Sequence, residues 1–188
     1  IFMLFNESVS VKTDAMINLG VSGEYAYLDL LGDGSHSAKT EDGRIHIELL
    51  PCQSCVIDFC GKTDLPAKTV WKEIGAPDRG YEIAVADSEN LSEFRHYKTS
   101  EELFNITAAG ELPDFSGKIS YKATFNAKKA GRMALDLGYV GSTAELRLNG
   151  ENLGTRICPP YLFDISGYVK DGENELEVIV SNTLANRV

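Results

Sequence analysis

Alternation with a period of two runs through most of this sequence, and helical spacing is nearly absent. Ile45, Ile47 and Leu49 alternate with His46 and Glu48; Ile57 and Phe59 flank Asp58; Ile119, Tyr121, Ala123 and Phe125 alternate with Ser120, Lys122, Thr124 and Asn126. Successive strand side chains point to opposite faces, so each stretch reads as an antiparallel strand with one buried side. Met133, Leu135 and Leu137 form a further apolar row, then Ala144, Leu146 and Leu148 another. Asn149-Gly150 follows at once, and these residues adopt positive φ at little cost, which marks a tight hairpin. In PPYLFDISGYVKDGENELEVIV (159–180) two prolines end one element, and a Lys-Asp-Gly-Glu-Asn turn opens a strand. In that strand Leu176, Val178 and Val180 alternate with Glu175, Glu177 and Ile179. One short helix is expected, because Thr99 and Glu102 have capping-box spacing ahead of the apolar residues of EELFNI, with Gly110 closing the region.

The 188 residues suit one large domain or two small ones, and they can bury a core without disulfide staples. The polar stretch Gly61-Lys62-Thr63-Asp64-Leu65-Pro66 marks a boundary. Residues 1–62 are expected to be the last strands of a preceding β-sandwich, since four or five strands are thin for an independent one. Residues 67–188 are expected to form a complete β-sandwich that folds on its own. The opening IFMLFNES carries no Lys or Arg before its short apolar run, so it reads as neither a signal peptide nor a membrane span. A first residue Ile1 and an end at Val188 suggest a piece of a longer polypeptide.

Eighteen Lys plus Arg against 28 Asp plus Glu give a formal net charge of -10, with no basic stripe. Nucleic-acid binding needs clustered positive charge to displace counterions, so no such partner is expected. A neutral ligand such as a sugar is compatible with this balance. Cys52, Cys55, Cys60 and Cys158 contain one close pair only, without His at ligand spacing, so they read as structural rather than as a zinc site. Asp33-Gly34 and Asp171-Gly172 read as turns, not as parts of a calcium loop. No metal and no cofactor are expected.

Glycosidase chemistry needs two carboxylates placed around the scissile bond. With 28 acidic residues, no pair stands out. His36, His46 and His96 lie near no GxSxG nucleophile motif, and His46 alternates outward on its strand. No catalytic residue is therefore assigned. Sugar sites combine an aromatic plate for the C–H face with amide, carboxylate or guanidinium groups for the hydroxyls. Trp71, Tyr97, Tyr139, Tyr161, Asn182, Asn186 and Arg187 supply those types. Trp71, Tyr161, Asn182, Asn186 and Arg187 are the candidates singled out, because the last four fall near the end of one strand or connection and Trp71 opens the second unit. Each has an alternative as a packing residue.

FSGKISYKATF (115–125), ALDLGYVGSTAELRLNGENLG (134–154) and PPYLFDISGYVKDGENELEVIVSNTLANR (159–187) resemble the galactose-binding-like jelly roll of glycoside hydrolase family 2 sugar-binding domains. They resemble more closely the C-terminal module of large bacterial α-L-rhamnosidases of family 106. IFMLFNES, YAYLDLLGDG (25–34) and IELLPCQSCVIDF (47–59) resemble the β-sandwich segment that precedes that module. The resemblance implies an all-β chain in which a galactose-binding-like jelly roll follows a partial β-sandwich. It also implies that catalytic carboxylates lie in an upstream domain of the same polypeptide. The function implied is that of a non-catalytic accessory module, carbohydrate-binding or scaffolding. The alternatives are a free-standing carbohydrate-binding module and a protein-interaction sandwich.

Overall fold

The computed structural model describes residues 1–30, 34–61, 64–77 and 80–182. The chain is all-β: among the described residues there is no helix, and the strands build β-sandwich layers. It divides into two compact units, one of Ile1–Glu73 with Cys158–Pro160, the other of Ile74–Ile157 with the chain from Tyr161 onward. Lys62 and Thr63 of the expected boundary, and Asp33 of one expected turn, lie outside the described residues.

The first unit contains β1 (Phe2–Phe5), β2 (Thr13–Ile17), β3 (Glu24–Asp29), β4 (His36–Lys39), β5 (Ile45–Leu49) and β6 (Ser54–Asp58). Four of them form an antiparallel sheet in the order β1-β6-β3-β4, and β2 pairs with β5 in a second sheet. The alternating apolar residues meet between the two: Ile45, Ile47 and Leu49 from β5 pack with Tyr25, Cys55 and Ile57, and with Phe2 and Leu4 of β1. His46 faces outward as expected, its Nε2 2.7 Å from Asp14 Oδ1 on the neighbouring strand. Buried Asn6 ties the end of β1 to the facing sheet, donating through Nδ2 to the carbonyls of Val11 at 2.8 Å and Leu50 at 3.0 Å.

The second unit is built on a six-stranded antiparallel sheet, β12-β11-β14-β9-β7-β8, with a two-stranded sheet β10-β13. Its strands are β7 (Tyr81–Asp87), β8 (Arg95–Ser100), β9 (Gly117–Ala127), β10 (Ala134–Asp136), β11 (Thr143–Leu148), β12 (Glu151–Arg156), β13 (Leu162–Asp164) and β14 (Gly172–Ser181). Register lines up the expected apolar rows across four strands, as in Leu146–Val178–Tyr121–Ile83 and Ala144–Val180–Ile119–Val85. One half of this face is covered by β10 and β13, through Met133, Leu135 and Phe163 against Leu146, Leu148 and Leu176. The other half is covered by the loop between β8 and β9, through Phe104, Ile106, Leu112 and Phe115. Leu146 and Leu148 are fully buried, which stabilises the fold by about 1.5–3 kcal/mol each relative to exposure.

Asn149 and Gly150 form the expected hairpin turn between β11 and β12, both at positive φ (53° and 86°). The expected helix is absent. Thr99 lies inside β8 opposite Glu82 of β7, so it caps nothing, and the Ser100 hydroxyl instead donates to the Glu102 carbonyl at 2.7 Å. Of the apolar residues that suggested a helical face, Phe104 and Ile106 pack on the sheet as part of an irregular strap while Leu103 stays exposed: tertiary burial overrides a weak local signal. Ile179, which the alternation assigns to the outward face with the glutamates, is only 5% exposed.

Asn174, fully buried, organises the turn into β14. Its Oδ1 accepts from the Lys170 N–H and Asn149 Nδ2, and its Nδ2 donates to the Lys170 and Gly172 carbonyls, all at 2.9 Å. Asn174→Ala orphans several of these groups at once and is expected to cost about 2–4 kcal/mol in denaturant unfolding.

In the first unit Glu48 lies 2.8 Å from both Lys12 and Lys68. The hydrogen bond from Lys12, then that from Lys68, hold its carboxyl at about 2 against an ordinary 4.5. A carboxylate depressed in the folded state contributes stability that is complete above pH 4.5 and lost as pH falls toward 2. Its side chain is 35% exposed, so screening limits the contribution to under about 1 kcal/mol. Glu48→Gln is expected to lower stability at neutral pH slightly and to flatten the acid limb of an unfolding-midpoint series across that window.

Candidate functional site

Antiparallel pairing gathers particular segments at one end of the second unit. Thr143 at the start of β11 opposes Ser181 at the end of β14, and Ser181 opposes Lys118 near the start of β9. Tyr161 and Asn182 both reach this end, so the structure brings these two sequence candidates to the same region. Tyr161 is 4% exposed and its hydroxyl donates to the Ser142 carbonyl. Asn182 accepts the Gly117 N–H at 2.7 Å through Oδ1 and donates to the Phe115 carbonyl at 2.7 Å through Nδ2. Both polar groups are engaged by the backbone and hold the end of the sandwich together. Trp71 belongs to the first unit, in the irregular segment after β6, and is 40% exposed. Asn186 and Arg187 lie outside the described residues.

Gly117 shows how tightly that end is built. A Cβ there would stand 2.1 Å from the Ala86 carbonyl oxygen, a contact no side chain tolerates, so β9 can begin only with glycine. Gly117→Ala is expected to cost about 3 kcal/mol or more by denaturant midpoint. Gly141→Ala, with nothing within 4 Å of its Cβ, serves as the near-neutral control.

The aromatic presented to solvent at this end is Tyr139, 90% exposed in the loop between β10 and β11. Asp136 Oδ1 accepts the Gly138 N–H at 2.8 Å and shapes that loop. Tyr97, the remaining sequence candidate, donates to Glu111 Oε2 at 2.5 Å while Lys98 lies 2.7 Å from Oε1. The hydrogen bond from Lys98, then that from Tyr97, hold the Glu111 carboxyl below its usual range, and the same bond to Glu111 raises the Tyr97 phenol. These three groups clamp the strap onto β8.

The outward face of the six-stranded sheet carries an arrangement that sequence reasoning missed. Register aligns Arg147, Glu177, Lys122 and Glu82 in one row across β11, β14, β9 and β7, alternating in sign. Arg147 contacts Glu145 at 2.8 Å and Glu177 at 3.5 Å, Lys122 lies 3.8 Å from Glu177, and the Ser120 hydroxyl donates to Glu177 at 2.7 Å. Lys122 and Glu177 were legible as outward-facing from their alternation with apolar neighbours. Their alignment depends on which strands pair and in what register, which local patterning does not encode. Chemically, these carboxylates neutralise cations on adjacent strands, an arrangement suited to pairing strands. Among the described residues, no group of three or more His, Cys, Asp or Glu is placed to hold a metal ion. Cys52, Cys55, Cys60 and Cys158 are free thiols, with Cys55 buried in the core of the first unit.

No protein-family model matches the chain. It is 43% identical over 79 residues to a Formosa agariphila protein named "Putative beta-glucuronidase", an alignment covering 39% of this chain and 7% of that one. In fold it superposes on a rhamnosidase from Novosphingobium sp. PP1Y with a TM-score of 0.67 and 22% identity, over 98% of this chain and 19% of the rhamnosidase. The chain thus spans less than a tenth of one relative and about a fifth of the other. At that identity the second likeness establishes a shared fold. The chain is related to portions of two proteins named for glycosidase activity, by sequence to one and by fold to the other.

Proposed function

We propose that this chain is a non-catalytic accessory module of a glycoside hydrolase, joined to an upstream catalytic domain in the same polypeptide. The observation that carries this reading is the proportion of the matches: nearly the whole chain corresponds to a fifth of the rhamnosidase, and its sequence similarity falls on 7% of the glucuronidase-named protein. The side chains support it, because the carboxylates with assigned partners clamp strands and loops. The finer assignment is a galactose-binding-like jelly roll over residues 67–188, preceded by the last strands of a β-sandwich over residues 1–62, as in family 106 α-L-rhamnosidases. The purified chain is expected to release no nitrophenol from aryl α-L-rhamnosides or β-D-glucuronides above a protein-free control, while the intact gene product hydrolyses a glycoside. Turnover by the chain alone, abolished by substituting one of its own carboxylates, would overturn the proposal.

Tyr139 favours a second role within the same reading. A solvent-facing phenol ring in a loop at the sandwich end is the kind of plate on which a sugar's C–H face rests, and Tyr161 braces that loop by accepting the Leu137 N–H at its carbonyl and donating its hydroxyl to the Ser142 carbonyl. Affinity for a neutral monosaccharide or short oligosaccharide is expected to be weak and insensitive to salt, since a shallow polar site must replace well-made water hydrogen bonds. Amide shifts on titration should centre on residues 137–142 and vanish in Tyr139→Ala. Shifts confined to the strand faces or to the first unit would contradict this placement.

A further inference from the structure

Edge strands expose unpaired backbone groups, and proteins commonly protect them with charged side chains. The described edge strands of this chain follow that rule with one exception. β4 carries Lys39, β8 Arg95 and Lys98, β12 Glu151 and Arg156, β2 Asp14, β5 Glu48, β10 Asp136 and β13 Asp164. β1, with the sequence Phe-Met-Leu-Phe, carries no charge. It pairs with β6 on one side and ends the sheet on the other.

Register shows which groups the open side offers. The Asn6 N–H bonds the Gln53 carbonyl at 2.9 Å. Because bonding alternates along an antiparallel pair, Phe2 and Leu4 face β6, and the N–H and C=O groups of Met3 and Phe5 face the open edge. The side chains of the same two residues stand away from the core, at 68% and 56% exposure, while Phe2 and Leu4 pack inside. Met3 sits beside Val56 on β6, and Val56 beside Leu28 on β3, so the outer surface continues an apolar row inward from the edge.

We propose that β1 is an acceptor edge, completed by an additional β-strand from another part of the same polypeptide, with apolar residues against Met3 and Phe5. This rests on the reading of the chain as part of a larger glycoside hydrolase. The relatives leave ample chain for such a strand, since this chain matches 19% of one and 7% of the other. A hydrogen-bonded strand supplies partners for the Met3 and Phe5 backbone, and its side chains extend the Met3–Val56–Leu28 row through cross-strand contacts.

Amide hydrogen exchange by mass spectrometry, on the 188-residue chain and on the intact gene product, tests this directly. Peptides containing Met3 and Phe5 should exchange at least about tenfold more slowly in the intact product, with β6 alike in both. Met3→Lys and Phe5→Lys, at exposed positions, should each restore fast exchange there without altering the circular dichroism of the 188-residue chain. Equal exchange in the chain and in a longer gene product overturns the proposal, as does a gene product that ends with these 188 residues. Protection in the 188-residue chain that rises with its concentration and is lost in Met3→Lys also overturns it, by identifying the occupant as a second copy. An intact product that protects β1 yet hydrolyses no glycoside overturns the functional reading and leaves the acceptor edge supported.

Discussion

The second unit depends on how the two ends of β14 are held. This strand lies between β11 and β9, and every apolar row of the large sheet that crosses from β11 to β9 passes through it. Its first turn closes around the Asn174 amide and its far end around the Asn182 amide. A buried amide with both ends bonded substitutes for missing backbone partners at little net cost, whereas an unpaired one costs its full desolvation. With these two ends held, Leu176 and Val178 face the inner layer, and Glu177 meets Arg147 and Lys122 on the outer side. A slip of one residue would exchange those faces.

Much of this architecture was legible in the residues. Period-two alternation marked Ile45 to Leu49, Ile119 to Phe125 and Ala144 to Leu148 as strands, and Asn149-Gly150 marked the hairpin, because these signals arise within a few residues of chain. Non-local features were less legible. Thr99 carries the spacing of a helix cap but is held opposite Glu82, and Ile179 has the position of a solvent-facing residue yet is covered. The candidate site divides the same way. Tyr161 and Asn182 were recognisable as residues near one end of the fold, but their backbone partners, Ser142, Phe115 and Gly117, lie 19 to 67 positions away in sequence. Tyr139 was one of several aromatic candidates, and its exposure distinguishes it only once the loop is folded.

The distribution of polar groups bears on function. The outward face of the large sheet pairs its charges across strands, and the strap over β7 and β9 is fastened by Tyr97, Lys98 and Glu111. Such arrangements stabilise and position a module. In the glycosidase reading, chemistry belongs to another domain, and this chain contributes an aromatic loop in one unit and an uncharged strand edge in the other.

The central claim, that catalytic carboxylates lie outside this chain, is tested most directly by affinity labelling of the intact gene product. A glycoside substrate analogue bearing an epoxide alkylates the carboxylate nearest the bound sugar, and peptide mass spectrometry then locates the label. The account predicts loss of activity with the label on an Asp or Glu outside residues 1–188. Inactivation accompanied by a stoichiometric label on a carboxylate within those residues would contradict it.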